Sequence, residues 1–327
     1  MLRLLLTILL MAHSYDVYCQ DYSERSEVKE FSAQLAEQGE YTAAGLLTVF
    51  RQAEYKQSII DAISRPAERT LEWDQYQDIF LTERRVTAGV EFMLEHYQAL
   101  AKASKAYGVP PVIITAVIGV ETMYGRHRGN YRVLDALTTL AFDYPPRATF
   151  FRKELQEFFL LVREEKQMIT ELKGSYAGAM GYGQFIPSSY RRYAVDFDDD
   201  GVRDIWNNPV DAIGSVANYL AEHGWANGQI AVKVNGAGID AEIYNVALRP
   251  STTIGDLQSL GLDVDAASDA AVSPMMLIGK DGAEYWLGFK NFYVITRYNH
   301  SKLYAMAVFQ LSEALRQPDS PLIGFSR

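Results

Sequence analysis

The chain has 327 residues, 48% of them hydrophobic and 22% charged, which is material for two or three globular domains with buried cores. A formal net charge of −10 and a pI near 5.1, with no basic run or stripe, exclude a nucleic-acid-binding face. The 21 Tyr, 15 Phe and 4 Trp exceed what a core requires and suit sugar recognition, where a ring face stacks and a hydroxyl hydrogen-bonds.

The first segment reads as a targeting signal. Arg3 precedes the apolar stretch 4–12 (LLLTILLMA), too short to span a bilayer, and polar HSYDVY follows. Cleavage falls after Ser14 or, preferred here, after Cys19. Val17 and Tyr18 are not the small residues that precede a lipidated cysteine, so no lipid anchor through Cys19 is expected. Loss of 1–19 removes the single cysteine and predicts export to the periplasm or cell envelope.

Helical spacing of apolar residues runs through 27–38 and 41–55, with Gly39 between them. Residues 82–107 read as one long amphipathic helix with Thr82 at its N-cap. The next segment, 106–120 (AYGVPPVIITAVIGV), contains no Asp, Glu, Lys, Arg or His. Opened by Pro110-Pro111 and closed by Gly125, it predicts a buried helix that ends on Glu121. Burial there favours the neutral carboxyl group and raises its pKa, the condition for a general acid; a local pair with Arg126 or Arg128 is the structural alternative. Helices follow at 134–142 and 147–168, then a glycine-rich loop at 174–183 (GSYAGAMGYG) and a short helix after Pro187. A further helix over 209–223 is stopped by Gly224. From 226 to 293 the alternation in IAVKV and the turn signals NGAG and DGAEYW predict short strands, and helical spacing returns over 299–316. The fold class is therefore mainly α (α+β), a helical body with a small β-rich insertion.

HExxH, CxxC, the Walker loop and GxSxG are all absent, and the four histidines beyond the signal (His96, His127, His223, His300) lack metal-ligand spacing. A carboxylate, glycines and aromatics remain, a set that suits a glycosidase. Asp135 and Asp143 are the nearest second carboxylates, but both sit among helix-terminus signals and read as structural. One acid without a partner points to substrate-assisted chemistry, in which the sugar's own N-acetyl group is the internal nucleophile. Separately, Asp196, Asp198, Asp200 and Gly201 (DFDDDG) follow the first half of an EF-hand loop, with Val202 offering its carbonyl. Position twelve of that pattern is Asn207 instead of Glu, and the next carboxylate is Asp211. The alternative is an acidic surface turn with Asp211 as a helix N-cap.

Five blocks in order, VIGVETMYGR, LDALTTLAFDYP, GSYAGAMGYGQFIPSSY, the aspartate loop with WNNPVDAIGSVANYL, and ITRYNHS, resemble the B-type lytic murein transglycosylases from about Trp73 onward. The resemblance implies a lysozyme-like core. The corresponding division is a signal (1–19), an N-terminal helical domain (20–100), the core with its Asp-rich loop (101–225), a β-rich subdomain (226–292) and a C-terminal helix returning to the core (293–327). It implies Glu121 as sole acid/base, cleaving the MurNAc-GlcNAc bond of peptidoglycan and leaving a 1,6-anhydromuramoyl end without consuming water. By the same resemblance Ser175 and Gln184 contact the N-acetyl group, while Tyr219, Tyr298 and Asn299 line the groove. Tyr76 and Tyr304 fit groove or core equally. At YPPRATF the chain keeps Arg147, suited to a stem-peptide carboxylate or lactyl group, but has Pro146 where the family has a first arginine. A structural Ca²⁺ held by Asp196, Asp198, Asp200, Val202 and Asp211, no catalytic cofactor, a monomer, and contacts with cell-wall synthesis complexes complete the expectation. A hydrolytic muramidase of goose-lysozyme type and a non-catalytic peptidoglycan-binding protein are its rivals.

Overall fold

A computed structural model of the protein describes residues 21–65, 71–236, 239–244 and 246–316. The expected signal segment, with Cys19, lies outside the described residues. The chain divides into two compact units between Tyr55 and Lys56.

In the first unit, helices α1 (Ser26–Ala36) and α2 (Ala43–Phe50) pack through Val28, Phe31, Leu35, Leu46 and Phe50. Phe31 and Phe50 meet edge to face at 5.9 Å. Thr42 caps α2 by accepting the Gly45 N–H at 3.1 Å, satisfying one of the donors that a helix start leaves free.

The second unit opens with two short helices that the apolar spacing did not announce, α3 (Gln57–Ile63) and α4 (Trp73–Phe80). A capping box between Glu72 and Gln75 starts α4. The expected single helix over 82–107 is two: α5 (Glu83–Glu95) and α6 (Tyr97–Tyr107). His96 leaves helical geometry between them (φ −108°, ψ 26°) and packs on Phe92 at 4.5 Å. Both halves bury apolar residues, so the spacing alone carries no sign of the break.

Helix α7 (Pro111–Thr122) is the axis of this unit, and every residue in it except Glu121 is buried. It starts at two prolines, where the missing N–H groups cost nothing, and packs against α5, α6, α11 (Pro209–Glu222) and α14 (Lys302–Ala314). Between α7 and α11 run α8 (Val133–Asp143), α9 (Ala148–Glu164) and α10 (Pro187–Tyr193).

The predicted strand region forms an antiparallel sheet in the order β3-β6-β5-β4: β3 (Ala231–Val234), β4 (Thr252–Thr253), β5 (Ala271–Gly279) and β6 (Gly282–Gly288). Its own small core contains Ile254, Leu257, Leu262, Val264, Val272 and Leu287, the first two from α12 (Ile254–Ser259). One element departs from expectation: Lys290–Tyr298 is a helix, α13, and the chain breaks at Asn299 before α14. Its Phe, Tyr, Val, Ile and Thr residues have strand propensity, and tertiary packing of Phe292, Val294 and Ile295 overrides it. A two-residue pair of strands, β1 (Tyr131–Arg132) with β2 (Lys173–Gly174), ties the glycine-rich loop to the start of α8.

Candidate active site

The turn that ends α7 determines where Glu121 sits. Met123, Tyr124 and Gly125 are all left-handed (φ 50°, 58° and 83°), so the chain reverses immediately after the carboxylate. Two such non-glycine residues cost about 1–2 kcal/mol each, and surrounding contacts hold them there. The Tyr124 ring fills the space beside Gly89 and Gly119, where an added Cβ would come within 2.4 Å and 2.6 Å of its hydroxyl. Thr122 Oγ1 accepts the Gly125 N–H at 2.9 Å and donates to the Tyr182 carbonyl at 2.8 Å, binding the glycine-rich loop to the helix end.

Gly129 continues this turn at φ 89°, and an added Cβ would lie 2.0 Å from the Gly174 carbonyl oxygen. Backbone on backbone cannot yield as a flexible side chain can. Gly129→Ala is therefore expected to lower stability by about 2–3 kcal/mol through combined strain and clash. A melting temperature within one degree of the parent would refute this.

The Tyr304 hydroxyl, from the first turn of α14, donates to Glu121 Oε1 at 2.7 Å. Tyr304 is 2% exposed, and Tyr298 stacks parallel to it with centroids 6.4 Å apart. Tyr298 donates to the Gly183 carbonyl at 2.6 Å and Tyr219 to the Arg297 carbonyl at 2.5 Å; their rings lie 4.7 Å apart. Phe185 contacts both rings at 5.8 Å. Burial first pushes all three phenols above their usual pKa, followed by the charge of Glu121 for Tyr298 and Tyr304 and by Tyr193 for Tyr219, so they remain hydrogen-bond donors at any working pH. Tyr76 is 1% exposed, stacked with Trp73 at 6.3 Å and tilted against Phe80 at 4.7 Å, so its ring belongs to the core behind Tyr304.

On the glycine-rich loop, Ser175 Oγ accepts the N–H groups of Ala177 and Ala179 at 3.2 and 3.1 Å. Gln184 is left-handed (φ 50°), with its Nε2 donating to the carbonyls of Gly181 (2.9 Å) and Arg128 (3.3 Å). Asn299 and Arg147 line a cleft of about 1030 Å³ together with Tyr144, Tyr176, Ser301 and Lys302. Arg147 is exposed there, its guanidinium seated over Phe150 at 4.3 Å and Phe151 at 5.1 Å.

Other carboxylates near the site have structural partners. Asp135 forms a two-pronged pair with Arg132, both contacts at 2.8 Å. Glu154 is buried, accepts from the Ser188 N–H and hydroxyl at 3.0 and 2.8 Å, and so anchors the start of α10. Glu72 also lines the cleft, but its side chain caps α4. Thr122, Tyr182, Phe185 and Tyr124 were not singled out by sequence reasoning; the signal for Tyr182 was its place inside the glycine-rich run.

In the aspartate loop, carboxylate oxygens of Asp196, Asp198 and Asp211 lie within 4.8 Å of one another. That span is twice a Ca²⁺–oxygen distance of about 2.4 Å, so a single hard cation fits among them. Asp211 is fully buried and accepts the N–H groups of Phe197 (2.7 Å) and Asp204 (2.8 Å), pinning both ends of the loop. Burial first, then the charges of Asp198 and Asp196, raise its pKa. Asp200 stands outside this trio, its Oδ1 accepting the Val202 N–H at 2.8 Å, and the Val202 side chain is exposed. The N-cap of α11 is Asn208, which accepts the Val210 N–H at 3.0 Å, so Asp211 does not have the capping role that was its alternative.

This geometry sets one carboxylate at the end of a buried helix with a phenol donating to it, in a unit that also holds a large cleft. The chain matches the model of the transglycosylase SLT domain over residues 23–313 and belongs to that family. It is 41% identical over 307 residues to the membrane-bound lytic murein transglycosylase B of Escherichia coli (strain K12), covering 90% of this chain and 84% of that one. The soluble lytic transglycosylase SltB1 of Pseudomonas aeruginosa superimposes with a TM-score of 0.83 at 48% identity, covering 89% of this chain and 98% of that structure. Escherichia coli Slt35 in complex with calcium gives 0.82 at 41% identity, over 90% and 94%. SltB3 of Pseudomonas aeruginosa in complex with NAG-anhNAM-pentapeptide gives 0.77 at 29% identity, over 91% and 80%. The protein is a peptidoglycan lytic transglycosylase with the mainly helical, lysozyme-like fold expected from its sequence.

Proposed function

We propose that Glu121 is the sole general acid/base of this enzyme, cleaving the MurNAc-GlcNAc bond and leaving a 1,6-anhydromuramoyl end. The observation that carries this reading is that α7 buries every side chain but Glu121, and that Tyr304 fixes the orientation of its carboxylate. The Tyr304 hydroxyl donates to Glu121 Oε1 and holds the carboxyl group in place to give a proton and take one back. Protonated Glu121 donates to the glycosidic oxygen as the C1–O bond breaks, and the substrate's N-acetyl oxygen stabilises C1. The Glu121 carboxylate then removes the C6 hydroxyl proton, and that oxygen closes on C1. No water enters.

Ser175 and Gln184 are suited to hold the acetamido group. The lone pairs of Ser175 Oγ are occupied by the loop, which leaves its proton to donate to the acetyl carbonyl. Both N–H contacts of Gln184 are spent on the backbone, which leaves Oε1 to accept the acetamido N–H. Tyr219, Tyr298 and Asn299 form the groove floor, and Arg147 meets an anionic substituent in the large cleft. Asp196, Asp198 and Asp211, with Asp200 and the Val202 carbonyl, hold a structural Ca²⁺. Export through the N-terminal segment brings the enzyme to its substrate in the periplasm or cell envelope.

Mass spectrometry of sacculi digested with the purified enzyme tests the reaction directly. Anhydromuramoyl ends, lighter by one water than reducing ends, are expected; reducing ends would identify a hydrolytic muramidase. Tyr304→Phe supplies a pH test. Removing a donor to the carboxylate disfavours ionisation, so Glu121 stays protonated to higher pH. The basic limb of kcat/KM, above which the acid is spent, is expected to move up by about one pH unit. An unmoved limb would exclude the phenol from setting the proton affinity of Glu121.

A further inference from the structure

A second cavity, of about 380 Å³, lies beyond the end of α7 and is lined by Gly125, Arg126, Arg128, Asn130, Glu171 and Lys173 among others. We infer that this pocket is a subsite for the carboxylates of the peptide stem carried by the glycan strand, with Arg128 and Lys173 as its specificity-determining residues. This rests on the peptidoglycan-cleaving reading of the site above.

Charge is the first observation. The chain carries a net −10, yet three cations converge here against one acid, Glu171. Elsewhere in this unit Arg132, Arg191 and Arg203 each pair with a carboxylate. Among the described residues Arg126, Arg128 and Lys173 form no ion pair, so their charge is available to a ligand.

Preorganisation is the second. The Arg128 carbonyl accepts from Gln184 Nε2, and its guanidinium sits 5.0 Å from the centroid of the Tyr182 ring. Tyr182 in turn packs so tightly on Gly125 that an added Cβ there would come within 2.1 Å of its ring. Lys173 is in β2, in register with Arg132 of β1. An arginine already held against an aromatic face loses little entropy when its planar fork pairs with a carboxylate.

Position is the third. The pocket opens at Gly125, just past Glu121 in the chain, and shares no lining residue with the large cleft, which Arg147, Ser301 and Lys302 line. In this reading a strand bound at Glu121 that runs past the end of α7 has Arg128 and Lys173 on that side, and Arg147 and Lys302 in the large cleft. Peptidoglycan strands bear acidic stems on every second sugar, so a strand reaching both sides presents a carboxylate to each.

The test compares purified glycan strands with intact stems and the same strands stripped of peptide by an amidase. The parent enzyme is expected to show about tenfold higher kcat/KM on peptide-bearing strands, expressed mainly in KM and weakening as salt is raised. With Arg147 and Lys302 of the large cleft still in place, Arg128→Gln/Lys173→Gln should cut the ratio between the two substrates to about threefold. Arg128→Lys/Lys173→Arg, which keeps both charges, should retain most of it, and matched melting temperatures separate this from misfolding. Cosedimentation of Glu121→Gln protein with intact and stripped sacculi reads the same preference without turnover. No preference in the parent, or a preference undiminished in the double Gln variant, overturns the subsite. If the parent releases no muramoyl-terminated fragments from either strand, the catalytic reading itself has failed, an outcome visible before any ratio is taken.

Discussion

Glu121→Gln is expected to lose between a hundredfold and ten-thousandfold in turnover of sacculi, roughly the range that positioned acid–base groups contribute. The substitution is isosteric, and its amide oxygen can still accept from Tyr304, so the contact at 2.7 Å has a replacement. What is lost is the titrating proton. Because Glu121 is the single residue of α7 not fully buried, stability should change by less than about 1 kcal/mol. The pair of measurements, anhydromuropeptide release and thermal melting, distinguishes a chemical role from a structural one. Glu72→Gln is the informative companion, because Glu72 is the carboxylate that lines the large cleft. Its side chain caps α4, so the change should cost only about 1 kcal/mol or less of stability and leave most turnover. Turnover by Glu121→Gln within tenfold of the parent, or a collapse in Glu72→Gln with intact folding, would transfer the acid's role away from Glu121.

The site was legible in the sequence where the signal was local. A run without charge, opened by two prolines and closed by glycine, yields α7 and places a carboxylate at its end. The glycine-rich loop and the aspartate loop are likewise local. Contacts between distant segments leave no such trace: Tyr304 lies 183 residues from Glu121, and only resemblance to a family suggested the groove for it. Tyr76 shows the limit of that route, since the same resemblance offered groove or core and the ring is buried. Helix boundaries failed where packing decided them. His96 interrupts α5–α6 without disturbing the apolar spacing, and α13 is a helix built from strand-forming residues because its Phe292–Ile295 face is buried. The basic pocket was invisible for a similar reason, because Arg128 precedes β1 and Lys173 lies in β2, segments far apart in sequence that the β1–β2 pairing brings together.

Positioning in this enzyme relies on many short constraints placed on one turn. Left-handed residues at 123–125, the hydroxyl of Thr122 and the ring of Tyr182 fix the end of α7. The aspartate loop serves the same purpose at one remove. Tyr182 N–H donates to the Ile205 carbonyl, and Asp211 holds residues 197 and 204. Stiffness in the loop therefore reaches the residue that carries both the Thr122 contact and the Arg128 stack.

Removal of calcium is accordingly expected to destabilise the folded enzyme. Three carboxylates within 4.8 Å repel one another, and burial of Asp211 sharpens the penalty by keeping water away. A divalent cation reverses the sign of that interaction. At free Ca²⁺ a hundredfold above its Kd the stabilisation is about 2.7 kcal/mol, which is roughly 5 °C in Tm for a unit of this size. Two variants separate the ion's contribution from the loop's own hydrogen bonds. Asp198 is exposed, so Asp198→Asn should abolish the Ca²⁺-dependent rise and leave the melting temperature in EDTA nearly unchanged. Asp211→Asn should lower the melting temperature even in EDTA, by about 3 kcal/mol in stability, because an amide can accept only one of the Phe197 and Asp204 N–H groups and turns its own donors toward the other. Melting curves that coincide with and without EDTA, together with an Asp198→Asn variant indistinguishable from the parent, would reduce the loop to an acidic turn held by hydrogen bonds alone.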